Sequence, residues 1–339
     1  MAANLSLKTR LTDDLGCEVP IIVAPMFLVS NVDMVVAASE AGAIGSFPAL
    51  NARPVETLRD WLREIKQRTR RPFAVNLIVN KTNIYYRQQL DICMEERVPM
   101  IIASLGNPEE VIRRAHEVGC KVYCDVIFEE HAKKAVDSGV DGLIAVSSGA
   151  GGHGGTISPF VWIPYLKKHY SVPIVAAGGI ADGAGLLAAL ALGADGVSVG
   201  TRFIASRECP VVDDYKQAIL RARPEDIVTT YKLDGVPASV IRTEYVRKMG
   251  TELSWLERKM LKNRRLRQMV FALRTLRSMR LLEKAAHRPT WKQLWGAGQV
   301  ASLIDEVLPI AEIVHNMVRE YEQVRNALPA EKAAERVAS

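Results

Sequence analysis

The 339-residue sequence predicts an α/β fold, a (β/α)8 barrel with an inserted, mainly helical accessory lobe. Three observations point there. Short apolar runs recur every twenty to thirty residues or so, helical patterns fill the gaps between them, and glycine-rich stretches follow the later runs. Continuous apolar strands alternating with helices require a parallel sheet covered on both faces. The expected strands are residues 21–25, 43–46, 73–79, 100–104, 121–127, 142–146, 173–177 and 196–200. Between them lie helical patterns such as 54–68, 108–117, 129–138 and 183–192. Gly119 and Gly193 stand just past two of these as left-handed stops. Eight such units fit a barrel of ~250 residues. The competing doubly wound sheet usually has fewer strands. It also places its phosphate-binding glycines after the first strand, where this chain reads Ala24-Pro25-Met26.

The pattern breaks after Arg223-Pro224. Strand-like pieces surround Asp234-Gly235-Val236-Pro237, and a long basic helical pattern follows over 254–283. A turn at His287-Arg288-Pro289 leads to Trp291 and Gly298, and a last amphipathic helix is expected over 302–327. The division is therefore a barrel from 1–224 and 301–329, an accessory lobe from 225–300, and a frayed tail at 330–339.

The totals bound the class. Hydrophobic content of 48% and charged content of 24% are those of a globular protein. No apolar run reaches the ~18 residues of a membrane span, and no secretory leader pattern opens the chain. Five cysteines without framework spacing suit a reducing cytoplasm, and Cys120 with Cys124 lacks the companions of a zinc site. The net charge of +6 is concentrated over residues 258–280, which hold Arg and Lys but no Asp or Glu. Interleaved Leu and Met make that segment a packed or oligomer-facing helix first. A docking face for an acidic partner, such as an acyl carrier protein or a CoA phosphate, comes next. Nucleic acid and membrane surfaces rank last.

In a barrel of this kind chemistry gathers at the C-terminal ends of the strands. The sixth run leads into Ser147-Ser148-Gly149-Ala150-Gly151-Gly152-His153-Gly154-Gly155, where one imidazole stands in a loop small enough for a ligand to approach its backbone. Asn76 on the third strand can donate and accept, and Asp125 ends the fifth. Gly178-Gly179 after the seventh strand and Gly200-Thr201 after the eighth suit the barrel's frequent phosphate site, where backbone N–H groups hold the anion. Each feature has a plainer reading: a loop histidine, a strand-end amide, a structural carboxylate, a tight turn.

These stretches, with Leu192-Gly193-Ala194-Asp195-Gly196-Val197 and Trp295-Gly296-Ala297-Gly298-Gln299, resemble the nitronate monooxygenase (2-nitropropane dioxygenase) family of FMN-dependent oxidoreductases. That group of flavoproteins includes enoyl-ACP reductases and quinone reductase-like members. The resemblance runs from about residue 20 to 325 and implies FMN in a TIM barrel. Ala24, Pro25 and Met26 would face the isoalloxazine, Asn76 would bond its edge, and Gly151 and Gly152 would line it. Gly178, Gly179, Gly200 and Thr201 would hold its phosphate. His153 would face the substrate as the base for a nitroalkane or the donor that orients a nitronate, a role suited to a group titrating near neutrality. Oxygen would complete the oxidation.

Asp125 departs from the pattern, because several relatives carry a hydrogen-bond donor or positive charge there. An ionised carboxylate would disfavour an anionic reduced flavin, so it is either protonated, turned to a cation, or in contact with substrate. The alternative activity is therefore an NAD(P)H-dependent reductase of enoyl thioesters or quinones, and a non-enzymatic flavin-binding barrel is the third. The substrate, the use of NAD(P)H and any homo-oligomer stay open at this point.

Overall fold

The structure is a computed structural model and describes residues 7–80, 83–233, 236–253, 284–288 and 293–328. The basic segment at 258–280, with its reading as a docking face, and the tail at 330–339 lie outside the described residues.

The chain begins with helix α1 (Arg10–Leu15) and then alternates strands with helices: β1 (Ile21–Val23), α2 (Val32–Glu40), β2 (Gly45–Pro48), α3 (Thr57–Arg68), β3 (Phe73–Ile78) and α4 (Tyr86–Glu95). The series continues through β4 (Met100–Ser104), α5 (Glu109–Glu117), β5 (Lys121–Val126), α6 (Glu129–Asp137) and β6 (Gly142–Val146). A two-residue strand, β7 (Gly152–His153), interrupts it before α7 (Pro159–His169), β8 (Ile174–Ala177), α8 (Gly183–Ala191), β9 (Gly196–Val199) and α9 (Thr201–Ile204). Helix α10 (Asp213–Arg221), strands β10 (Ile227–Thr230) and β11 (Ala238–Ile241), α11 (Glu244–Met249) and the long α12 (Ile310–Ala327) complete the described elements.

Eight strands form one parallel sheet in the order β1-β9-β8-β6-β5-β4-β3-β2. A parallel bridge between Ile22 and Ile44 joins its two edges. The Val23 N–H donates to the Ile44 carbonyl, and the Ile44 N–H to that of Ile21, both at 2.9 Å. The fold is a (β/α)8 barrel, and closing the sheet on itself removes the exposed edges.

Alternation along the strands sorts side chains into two cores. Ile22, Ile44, Ala74, Met100, Ile102, Tyr123, Ile144, Val175 and Ala177 fill the barrel's interior with Leu11 and Cys17, so α1 plugs the N-terminal end. The fully buried Tyr123 donates its hydroxyl to Asp14 at 2.9 Å, and its ring occupies the space a side chain at position 142 would need. The opposite strand faces pack against the surrounding helices, including the apolar stripe Ile310, Ile313, Val314, Met317 and Val318 of α12. Helix α12 comes so close to α8 that a Cβ on Gly183 would lie 2.2 Å from the Tyr321 nitrogen, and Glu320 accepts from the Gly183 N–H at 3.0 Å.

The last helix starts at Ile310 rather than near 302. Pro309 disfavours helical backbone at the residue before it, and Leu308 instead bridges to Ser206 in extended form. The described residues also include a separate three-stranded sheet, β10-β11-β7, in which two strands after residue 225 pair with the end of the His153 loop. All five cysteines are free and buried. Among the described residues no helix is long and apolar enough to cross a membrane.

Candidate active site

Residues two apart on a strand share a face, and this rule builds the floor of the barrel mouth. Asn76 follows Ala74 on β3, Ser104 follows Ile102 on β4, and Asp125 follows Tyr123 on β5. Each lower residue belongs to the interior core, so the three polar side chains stand one layer higher, at the C-terminal end. They form a chain of hydrogen bonds. The Asn76 amide donates to the Ile102 carbonyl at 2.9 Å and to the Ser104 hydroxyl at 2.7 Å. Ser104 in turn donates to Asp125 Oδ2 at 2.5 Å. Burial pushes the Asp125 carboxyl up to about 6, and the bond from Ser104 opposes that rise. At neutral pH the group is mostly ionised.

This shift has a measurable consequence. A carboxyl whose value climbs from 3.8 to about 6 on folding binds its proton more tightly in the native state. The stability it contributes is fully present below about pH 4 and is lost as the pH rises through 6. Asp125→Asn escapes that loss and still accepts from Ser104. The Tm of the variant is expected to gain on that of the unmutated protein by roughly 2 to 5 °C between pH 4 and 7. A difference that stays flat across paired thermal melts in that range would contradict the assignment.

The opposite side of the mouth is backbone. After β1 the chain turns through Ala24, Pro25 and Met26, all half-buried. The Asn51 side chain pins this turn. It accepts from the Leu28 N–H at 2.8 Å and donates to the carbonyls of Met26 and Ser30, which holds Leu28 at a left-handed φ of 63°. Gly200 ends β9 beside it, where a Cβ would touch Met26 Sδ at 3.5 Å and Ala24 Cβ at 3.7 Å. Gly178 and Gly179 end β8 with φ of 100° and 80°, conformations that glycine adopts without strain. Among the described residues, no acceptor bonds the backbone N–H groups of Gly178, Gly179, Gly200 or Thr201.

The His153 loop leans on the same ends. A Cβ on Gly178 would meet the Ala150 nitrogen at 2.8 Å and the Ser147 oxygen at 3.0 Å. His153 itself is exposed and sits on β7, opposite Ala238 of β11. Its backbone is thus held by a strand from the lobe. Segment 295–298 completes the clamp. Ala297 donates to the Ser239 carbonyl, and the Gly298 N–H donates to Thr201 Oγ1 at 3.0 Å. Gly151 packs so that a Cβ would lie 2.8 Å from Gly298 N. Tyr215 stacks on Trp295 at 5.3 Å and donates to the Gly296 carbonyl at 2.5 Å.

Every residue expected at the site therefore lies at one end of the barrel. Asn76 and Asp125 join through Ser104, and the ends of β1, β6, β8 and β9 join through backbone contact. The sequence reading did not single out Ser104, although its parity with Met100 and Ile102 marks it as inward-facing. Thr201 also carries a structural bond to Gly298 that no sequence pattern announces.

A nitronate monooxygenase family model matches residues 8–87 and 80–320. The chain belongs to the nitronate monooxygenase family. Membership makes it a flavin-dependent oxidoreductase. A probable nitronate monooxygenase of Staphylococcus saprophyticus is 29% identical over 95% of this chain and 100% of that protein. A (3aS,4S,5R,7aS)-5-hydroxy-7a-methyl-1-oxo-octahydro-1H-indene-4-carboxyl-CoA dehydrogenase of Rhodococcus jostii is 32% identical over 71% of this chain and 67% of that protein. Among solved structures, FabK of Thermotoga maritima superposes with a TM-score of 0.83 at 33% identity, covering 95% of this chain and 99% of that one. Nitroalkane oxidase of Streptomyces ansochromogenes, at 24% identity and a TM-score of 0.77 over 94% and 99%, shares the fold.

The residues present fit a flavin bearing a phosphate. Unspent N–H groups after β8 and β9 suit a phosphate, and the left-handed Gly178 and Gly179 let backbone donors after β8 turn toward an anion. The half-buried Ala24-Pro25-Met26 turn offers a small-residue face to a flat ring, and Asn76 offers an amide at the edge of the same mouth.

Proposed function

We propose that this chain is an FMN-dependent oxidoreductase that oxidises alkyl nitronates with O2. The observation that carries the reading is His153, exposed yet fixed by strand pairing, at the barrel end that also presents the unspent backbone N–H groups and the Asn76 amide. Bound FMN would supply the electron acceptor that passes electrons on to oxygen; the protein supplies placement and electrostatics. Gly178, Gly179, Gly200 and Thr201 would hold the phosphate through their N–H groups. Ala24, Pro25 and Met26 would support the ring, with Gly151 and Gly152 beside it. His153 would take the α-proton of a nitroalkane at an imidazole nitrogen, or donate to the oxygen of a nitronate.

The purified protein is expected to be yellow and to bleach on anaerobic mixing with propyl-2-nitronate. A flavin spectrum unchanged by the nitronate would remove this reading. A second reading, reduction or oxidation of acyl thioesters with NAD(P)H as the electron donor for the reductive direction, is favoured by the carboxyl-CoA dehydrogenase at 32% identity and by the carboxylate at position 125. It requires bleaching by NADPH and recolouring by an enoyl thioester.

A further inference from the structure

The chain from Asn76 through Ser104 to Asp125 has a direction, and its origin is a backbone carbonyl. Ile102 O can only accept, so the Asn76 amide must present its NH2 group to it. The second proton of that NH2 group points at Ser104 Oγ, at 2.7 Å. Occupied as an acceptor, the Ser104 hydroxyl has its own proton left to give, and it gives it to Asp125 Oδ2 at 2.5 Å. Reversal is blocked, because turning the Asn76 amide would set its oxygen against the Ile102 carbonyl. The order fixes two outputs at the barrel mouth. Asn76 Oδ1 is left as an acceptor, and Asp125 receives the Ser104 proton at Oδ2, with Oδ1 free of that bond.

We propose that Ser104 is a positioning residue that relays to Asp125 the hydrogen-bond polarity set at the Ile102 carbonyl, donating to Asp125 and so opposing the protonation that burial favours beside the flavin edge. The proposal rests on the flavin reading for the identity of the group facing the mouth. Ser104 touches neither flavin nor substrate in this scheme; it acts through its two neighbours. It sits 8% exposed between two flanking strands, which leaves its hydroxyl little freedom to find another partner.

The groups around Asp125 support this role for Ser104. On β5 itself, Tyr123 lies one layer below and is bonded to Asp14, while Cys124 points to the outer core with its thiol pushed up by burial. The inward residues of the flanking strands are Ile102 and Ser104 on β4, and Ile144 and Val146 on β6, none of which titrates. His153 stands in the loop after β6 and is exposed. Ser104 is thus the described side chain that bonds the carboxylate and lowers its proton affinity against the effect of burial.

The test uses the purified full-length holoprotein with 13C-labelled aspartate, comparing Ser104→Ala, Ser104→Thr and Asp125→Asn with the unmutated chain. In Ser104→Ala the Asp125 carboxyl loses a donor that favours its charged form. Its titration midpoint is expected to rise by about half a unit to one unit, and Ser104→Thr should restore it. The dissociation constant for FMN should weaken about three- to tenfold in Ser104→Ala. It should change no further when Asp125→Asn is added than in Asp125→Asn alone, the non-additivity expected of residues acting in series. An Asp125 midpoint unmoved by Ser104→Ala, or an FMN effect that simply adds to that of Asp125→Asn, would overturn the proposal. A shifted midpoint in a protein that neither carries nor takes up flavin would uphold the hydrogen-bond chain and remove the flavin reading instead.

Discussion

Gly298→Ala is expected to destabilise the protein by roughly 1–3 kcal/mol and to lower kcat/KM by about a hundredfold. A Cβ at this position would lie 2.3 Å from the Gly149 carbonyl oxygen and 3.2 Å from the Gly151 nitrogen. Both are backbone atoms of the His153 loop, so no flexible side-chain tip can swing aside to relieve the clash. Either the loop moves away from β8 and β9, or segment 295–298 retreats and the bond from Gly298 to Thr201 breaks. Each route displaces the histidine or the adjoining strand end by an ångström or so, the scale at which a reacting geometry is lost. Gly296→Ala is the control, since its nearest contacts would be at 3.7 to 3.9 Å, ordinary van der Waals separations. Thermal melts, flavin content after gel filtration and steady-state rates on both variants decide the matter. If the two behave alike, the clamp does not set the loop's position.

His153→Asn carries the second large effect. The imidazole stands on β7, paired through its backbone with Ala238, so the substitution leaves that pairing intact. Because the side chain is exposed, its replacement opens no cavity in either core. The expected result is a fall in kcat/KM of about 10²–10⁴-fold with neutral nitroalkanes, the usual worth of a positioned acid or base. With preformed nitronates, which need no proton removed, the fall should be much smaller. Flavin content should match the parent. Equal losses on both substrates would assign His153 to binding or orientation, and no loss on either would take it out of the chemistry.

The barrel was legible in the sequence because its strands are continuous apolar runs, buried on both faces, and their ends fall where the glycines begin. Ile21–Val23 and Gly142–Val146 are of this kind. The gathering of the candidate site residues was legible for the same reason: a barrel puts all eight C-terminal ends on one rim. What sequence could not supply is contact across long separations. The bond from Gly298 to Thr201 spans 97 residues, and that from Ser104 to Asp125 depends on the register between neighbouring strands. Helix α12 illustrates a local miss. Its amphipathic pattern extends backwards past Pro309, yet proline and the bridge at Leu308 delay its start. Asp125 shows the converse case, a carboxylate the resemblance marks as unexpected, whose hydrogen-bond donor, Ser104, only the fold reveals.

The clamp from β11 and segment 295–298 bears on how this protein could diversify. The position of the histidine is shared with β11, a strand outside the barrel sheet, so a change in that strand reaches the His153 backbone directly. A cassette exchange over this region would therefore have to keep the Gly298 bond to Thr201 if the end of β9 is to stay in place.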